Sequence, residues 1–207
     1  MTLLVLVRHG RTVWNKKERS RRRTDLPLDE VGLRQAEVVA RCLAEGNRPK
    51  AIYTSPLQRA RQTAEAISRQ ANLVVHPHPG LLDLDYGALS GLSLAEAEQS
   101  FPSLYRSWLD APHTVQFPQG ESLGDVRTRA MELVQTLVRD CPDAQIILVS
   151  HVVVCRVLFC ALLDVGLDHF WRFRVDPASI SVFELSQGRA TLSMANDVCH
   201  LNGGSHE

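Results

Sequence analysis

The chain has 207 residues, 44% hydrophobic and 22% charged, the composition of one folded domain with a sizeable core. Its 23 cations balance 23 anions, so no global charge favours nucleic acid or an acidic membrane surface. Only Lys16, Lys17 and Lys50 are lysines, and the remaining cations are arginines, planar forks suited to phosphate or carboxylate.

TLLVLV (2–7) is a short unbroken apolar run and predicts a buried, parallel strand. It runs straight into Arg8-His9-Gly10. An Arg-rich loop (15–27) follows. Asp29 then predicts a helix N-cap, with Leu33, Ala36, Ala40 and Leu43 at helical spacing and Gly46 to close the helix. AIYT (51–54) predicts a second strand. Ser55 as N-cap and Pro56 at the first helical position open a helix over SPLQRARQTAEAIS. LVV (73–75) predicts a third strand, and 76–92 reads as a loop rich in Pro, Gly and Asp. Ser93 caps a short helix towards Ser100. Residues 122–140 predict a long amphipathic helix, QIILVS (145–150) a buried strand, and VVVCRVLFCALL a buried helix. SISVFEL and ATLSMA alternate and predict a final strand pair. NGGSHE (202–207) predicts a disordered tail.

Strands alternating with helices predict an α/β fold: three layers, a mainly parallel central sheet flanked by helices, in one domain over 1–207. The irregular span 76–121 reads as an insertion over the site. Five cysteines without a CxxC predict reduced, mostly buried thiols in a cytoplasmic protein. Leu3–Val7 before Arg-His is too short and wrongly flanked for a signal peptide. Ile146–Leu163 is broken by Ser150, His151 and Arg156, so it predicts a strand entering a helix and no membrane span.

In open α/β sheets ligands sit beyond the carboxyl ends of the strands. Three predicted strands end in related polar groups: Arg8-His9, Ser55 with Arg59 one turn on, and His151. A lone histidine after a strand is ordinarily structural, and a lone helical arginine ordinarily faces solvent. Together, two guanidinium forks and two imidazoles suit a phosphoryl group. No HExxH or paired His/Cys spacing suggests a metal, and His76 and His78 read as loop residues.

LVRHGRTVWN, TDLPLDEVGLRQAE, YTSPLQRARQTAEAI, DLDYGALSGLS, PQGESL and LVSH, in this order, resemble the histidine phosphatase superfamily, shared by phosphoglycerate mutases and small bacterial phosphatases. The match covers about residues 3 to 200. The resemblance implies a phosphoglycerate mutase-like fold and a metal-independent phosphomonoesterase without cofactor. It implies His9 as the nucleophile that forms a phosphohistidine. Arg8, Arg59, His151 and Asn15 then hold the phosphoryl oxygens. The family places a Glu as general acid three residues before the aromatic of its YG pair. That position holds Asp83, with Asp85 as a second candidate. The chain also departs in Val152, where the family often has Gly, and in Arg21-Arg22-Arg23, of which Arg22 is a candidate for the pocket mouth.

The region 93–122 carries one cation, Arg106, unlike the Lys/Arg-rich insertion of glycolytic mutases, so the phosphatase branch is the better match. WLDAPHTVQFPQGESL, DHFWRFRVDPASISVFEL and VCHL resemble metal-independent phosphoserine phosphatases, which brings the chain's end near His200 towards the substrate; Tyr86, a further substrate-side candidate, stands where those enzymes tend to have a His. Expected substrates are small phosphorylated metabolites: phosphoserine, α-ribazole phosphate or a broad range. A phosphoglycerate mutase and a non-catalytic phospho-ligand-binding module are the alternatives. A homodimer is the expected assembly.

Overall fold

The apolar run near the N-terminus forms strand β1 (Thr2–Arg8), buried along almost its whole length. The computed structural model describes residues 1–16, 25–45 and 48–202, with the backbone alone for Asn15, Lys16 and Asn202. β2 is Ala51–Thr54, β3 Val75–Pro77, β4 Gln145–Ser150, β5 Ile180–Ser186 and β6 Arg189–Asp197. They form a six-stranded sheet in the order β3-β2-β4-β1-β5-β6. The pairs β3·β2, β2·β4 and β4·β1 are parallel, and β1·β5 and β5·β6 antiparallel. The sheet is thus mixed, with its parallel half holding the strand ends of interest.

The long helices are α1 (Glu30–Ala44), α2 (Gln58–Ala71), α5 (Leu123–Asp140) and α6 (Val152–Leu162), with short helices α3 (Leu94–Ser100), α4 (Pro102–Asp110) and α7 (Cys199–Asn202). They cover both faces of the sheet. One core packs Leu4, Leu6, Ile146 and Leu148 against α5 and α6 residues such as Leu133 and Phe159. The other packs Val5, Val7, Ile147 and Val149 against Ala36, Ala40, Ala64 and Ile67 of α1 and α2. Alternate residues of β1 and β4 therefore face opposite layers, which is why both strands read as continuous apolar runs.

Several expected boundaries move. Asp29 caps α1 by accepting from Gly32 N at 2.9 Å, but Leu33 is 47% exposed and the buried face is Gly32, Ala36, Val39 and Ala40. α2 begins at Gln58 with Leu57 in the cap position, three residues after Ser55, so Pro56 precedes the helix. The third strand starts at Val75 and not Leu73, because Asn72 takes a left-handed φ of 54° at the end of α2 and Val74 turns outward. β3 therefore takes the first residues of the expected 76–92 loop. Ser93 and Ser122 each form a capping box, with Glu96 and Asp125 respectively. Cys155 and Cys160 are buried, Cys42 and Cys141 half-buried and Cys199 exposed, so the free thiols are less buried than expected. Asn202 closes α7, while Gly46, Arg21–Arg23 and the tail from 203 onward lie outside the described residues. Among the described residues no helix is long and apolar enough to cross a membrane.

Candidate active site

Sheet register brings the polar residues together. Arg8 pairs with Ser150 and Thr54 with Val149, so β1, β4 and β2 end at nearly the same level. His9 N donates to Ser150 O at 3.0 Å and Ser55 N to Val149 O at 3.0 Å. Residues 9, 55 and 151 thus leave the sheet side by side, at its carboxyl edge. The rings of His9 and His151 lie 5.1 Å apart, centroid to centroid.

His9 is buried, and its Nδ1 lies 2.7 Å from Gly10 O. A carbonyl only accepts, so Nδ1 carries the proton and donates it. Nε2 then keeps its lone pair, and it is buried with no hydrogen-bond partner among the described residues. Burial holds the His9 pKa well below its ordinary value. The charges of His151, Arg59 and Arg8 lower it further, and the Gly10 carbonyl opposes them only in part. The ring is therefore neutral at neutral pH, with an available nitrogen.

Arg8 and Arg59 are both buried beside it. Arg8 Nη1 donates to Val175 O at 2.5 Å, which ties it to the segment leading into β5. Arg59 lies on the first turn of α2, and its Nη2 donates to Asp83 Oδ2 at 3.1 Å. The same carboxylate oxygen lies 3.6 Å from His151 Nδ1, while Oδ1 accepts from Leu84 N at 3.1 Å. His151 Nε2 meets Ser55 Oγ at 2.8 Å. Ser55 also accepts from Leu57 N at 3.3 Å, so the residue expected as a helix cap spans the helix start and the second histidine. Thr63 Oγ1 donates to Arg59 O at 3.0 Å and accepts from Gly10 N at 3.2 Å, locking α2 to the His9 loop.

A family model of the histidine phosphatase superfamily (branch 1) matches residues 4–198. The chain belongs to that superfamily. It is 35% identical over 201 residues to phosphoserine phosphatase 1 of Hydrogenobacter thermophilus, covering 97% of this chain and 95% of the relative. A bifunctional protein of Mycobacterium tuberculosis is 34% identical over 201 residues, of whose length the chain spans 55%. The solved structure of YhfR from Bacillus stearothermophilus superposes with a TM-score of 0.92 at 32% identity, over 97% of this chain and 100% of that one.

The other expected residues of this histidine phosphatase divide. Asp83 joins the cluster and is buried, whereas Asp85 is half-buried and its Oδ1 accepts from Gly87 N at 2.9 Å. Tyr86 stacks edge-on with Trp108 and Phe117, at 5.9 and 5.0 Å between centroids. His200 Nε2 lies 3.0 Å from Ala178 O, and Ala178 N in turn donates to Arg8 O and His9 O at 3.1 and 3.2 Å. His200 therefore sits one backbone link behind the His9 loop. The backbone of Asn15 lies in a 3₁₀ turn, Val13–Lys16, while its side chain and all of Arg22 fall outside the described residues.

Arg8 also lines a cavity of about 510 Å³, whose wall includes Tyr86, Tyr105, Trp108, Phe117 and Trp171. Leu94 and Leu109 are 41% and 50% exposed, while Phe101, Leu104, Tyr105 and Trp108 pack against the core. Among the described residues no group of three His, Cys, Asp or Glu is placed to hold a metal ion. Sequence reasoning missed Ser55 and Thr63 as site-organising residues. Their only signal was position, directly after a strand end and on the arginine-bearing face of α2.

Proposed function

We propose that this histidine phosphatase hydrolyses a small phosphomonoester through a phosphohistidine on His9. The observation that carries the reading is the placement of His9: Nδ1 against Gly10 O, and Nε2 buried with no hydrogen-bond partner among the described residues, beside two buried guanidiniums, with burial and the neighbouring charges lowering its pKa. The Nε2 lone pair forms the N–P bond as the ester P–O bond breaks. Arg8, Arg59, His151 and Asn15 hold the equatorial oxygens, where charge spreads in the transition state. A substrate dianion favours protonated His151. Asp83 gives its proton to the leaving oxygen. Water then attacks phosphorus, its proton passes to Asp83, the N–P bond breaks, and inorganic phosphate leaves with His9 restored.

Arg22, Tyr86 and His200 belong to the substrate side in this reading, and 76–121 to an insertion over the site within one domain of 1–207. A cytoplasmic location and a homodimer complete it. Its substrate is a small phosphorylated metabolite. The Hydrogenobacter relative bears the name of phosphoserine, which makes that the first candidate. The aromatic cavity next to Arg8 supports a second one, a phosphomonoester with a flat apolar leaving group such as α-ribazole phosphate. A mutase and a non-catalytic phospho-ligand-binding module are the remaining alternatives.

The test is a panel of p-nitrophenyl phosphate, phosphoserine, α-ribazole phosphate and 3-phosphoglycerate, assayed in EDTA. Phosphate release that disappears in His9→Ala is expected. Formation of 2-phosphoglycerate without phosphate release would make the protein a mutase, and no turnover of any member would make it a binding module.

A further inference from the structure

Asp83 sits in an irregular segment, 82–86, so no helix or strand fixes its backbone. An aspartate carboxyl stands one torsion closer to its backbone than a glutamate carboxyl. Its placement is therefore set largely by where the loop lies. Arg59 holds the carboxylate of Asp83 directly, and the backbone of 80–85 is held by several side chains, three of these contacts coming from one ion pair. Arg129, on α5, donates from Nη1 to Gly80 O at 2.8 Å and from Nη2 to Asp83 O at 3.4 Å. It also grips Glu121 in a two-point fork, Nε to Oε1 and Nη2 to Oε2, both at 3.0 Å. Glu121 Oε2 in turn accepts from Asp85 N at 3.1 Å, and Glu121 N donates to Asp85 O at 2.9 Å. A further contact is Ser150 Oγ to Leu81 O at 2.8 Å.

We infer that Arg129 and Glu121 are positioning residues for the general acid. The pair touches the backbone on both sides of Asp83 and the carbonyl of Asp83 itself. Its two side chains are each 19% exposed, so solvent competes little with the fork. The helix that carries Arg129 is anchored by Ala130, Leu133 and Val134 in the core, which gives the clamp a fixed base. Lysine cannot reproduce it, because one ammonium cannot make the planar two-point contact and reach two carbonyls as well. A general acid matters in proportion to the basicity of the leaving oxygen. A misplaced Asp83 should therefore slow alkyl phosphates and spare p-nitrophenyl phosphate, whose phenolate leaves without a proton. A clamp that only stabilised the fold would slow both alike.

The inference rests on Asp83 as the proton donor, and the experiment separates the two claims. Arg129→Lys, Glu121→Gln and Asp83→Asn are made singly, and each of the first two is combined with Asp83→Asn. The measured quantity is kcat/KM, which reports steps up to leaving-group departure. Asp83→Asn alone should cut kcat/KM for an alkyl phosphomonoester about 10²-fold or more. Arg129→Lys and Glu121→Gln should each cut it about tenfold, with less than about threefold loss on p-nitrophenyl phosphate, and add nothing on the Asp83→Asn background. If Asp83→Asn has no effect, the acid assignment fails. If Asp83→Asn acts but the clamp variants slow both substrates equally, lose activity additively, or both fail to fold, the positioning role fails.

Discussion

Gly10→Ala tests how tightly the nucleophile is placed. A Cβ at Gly10 would lie 2.6 Å from Gly32 O, a backbone atom of α1, against 3.4 Å for ordinary contact. Relief requires a separation of about 0.8 Å between the His9 loop and α1. The helix is held by its packed face, and the loop by Thr63 Oγ1 on Gly10 N, so neither yields without loss. Forcing extra volume into such a contact costs about 1–3 kcal/mol of stability. The loss of activity should be larger, because Gly10 O is the acceptor that fixes the His9 ring. A reactant displaced by about 1 Å loses on the order of 10²-fold in rate. The assay is kcat/KM on p-nitrophenyl phosphate at a temperature where the thermal unfolding curve shows the variant folded. Gly124→Ala, where the added Cβ meets only Ser122 Oγ at 3.4 Å, is the control and should leave kcat/KM and stability near wild type. Gly10→Ala with kcat/KM within about threefold of wild type would refute the argument that this contact sets the nucleophile's position.

Asp83→Asn and Asp85→Asn should separate cleanly: the first loses about 10²-fold or more on alkyl phosphates, and the second stays within about tenfold, since its carboxylate serves Gly87 N. Equal losses would reopen the choice of acid. The depressed pKa of His9 makes the folded protein bind fewer protons there than the unfolded chain. Its contribution to stability is therefore lost as pH falls from the ordinary histidine value of 6.5 towards the folded value. Each pH unit within that window costs about 1.4 kcal/mol, so His9→Gln should lose less stability than wild type between pH 7 and pH 5 in urea melts. A wild-type-minus-variant difference that does not change with pH would contradict the buried neutral state. Ser55→Ala leaves a buried His151 nitrogen without its 2.8 Å partner, and should cost about 1–3 kcal/mol with a fall in kcat/KM. Loss of stability with unchanged kcat/KM would limit Ser55 to a structural role.

Much of this was legible because the decisive signals are local. β1, β2 and β4 are short apolar runs ending in polar residues, and their parallel register follows from burial on both faces. That placed Arg8, His9, Arg59 and His151 together. Ser55 was misread because the cap rule is local, whereas its partner His151 lies 96 residues away. Glu121 and Arg129 look like surface charges of an amphipathic segment, and only the path of the 80–85 loop over α5 gives them their work. In an extended segment residues 83 and 85 would share a face, so the sequence alone leaves both Asp83 and Asp85 as candidates. The backbone is not extended at Tyr86, where ψ is 3°, nor at Gly87, where φ is +50°, and Asp85 is drawn into that turn.

The most direct test of the account is to look for the phosphohistidine. Enzyme mixed with p-nitrophenyl phosphate is quenched at alkaline pH at successive early times, and its peptides are mapped by mass spectrometry. One phosphoryl group on His9, formed as fast as p-nitrophenol appears and lost as inorganic phosphate is released, is the predicted result. Steady phosphate release with no phosphoryl group on His9 at any time, or undiminished release in His9→Ala, would contradict it.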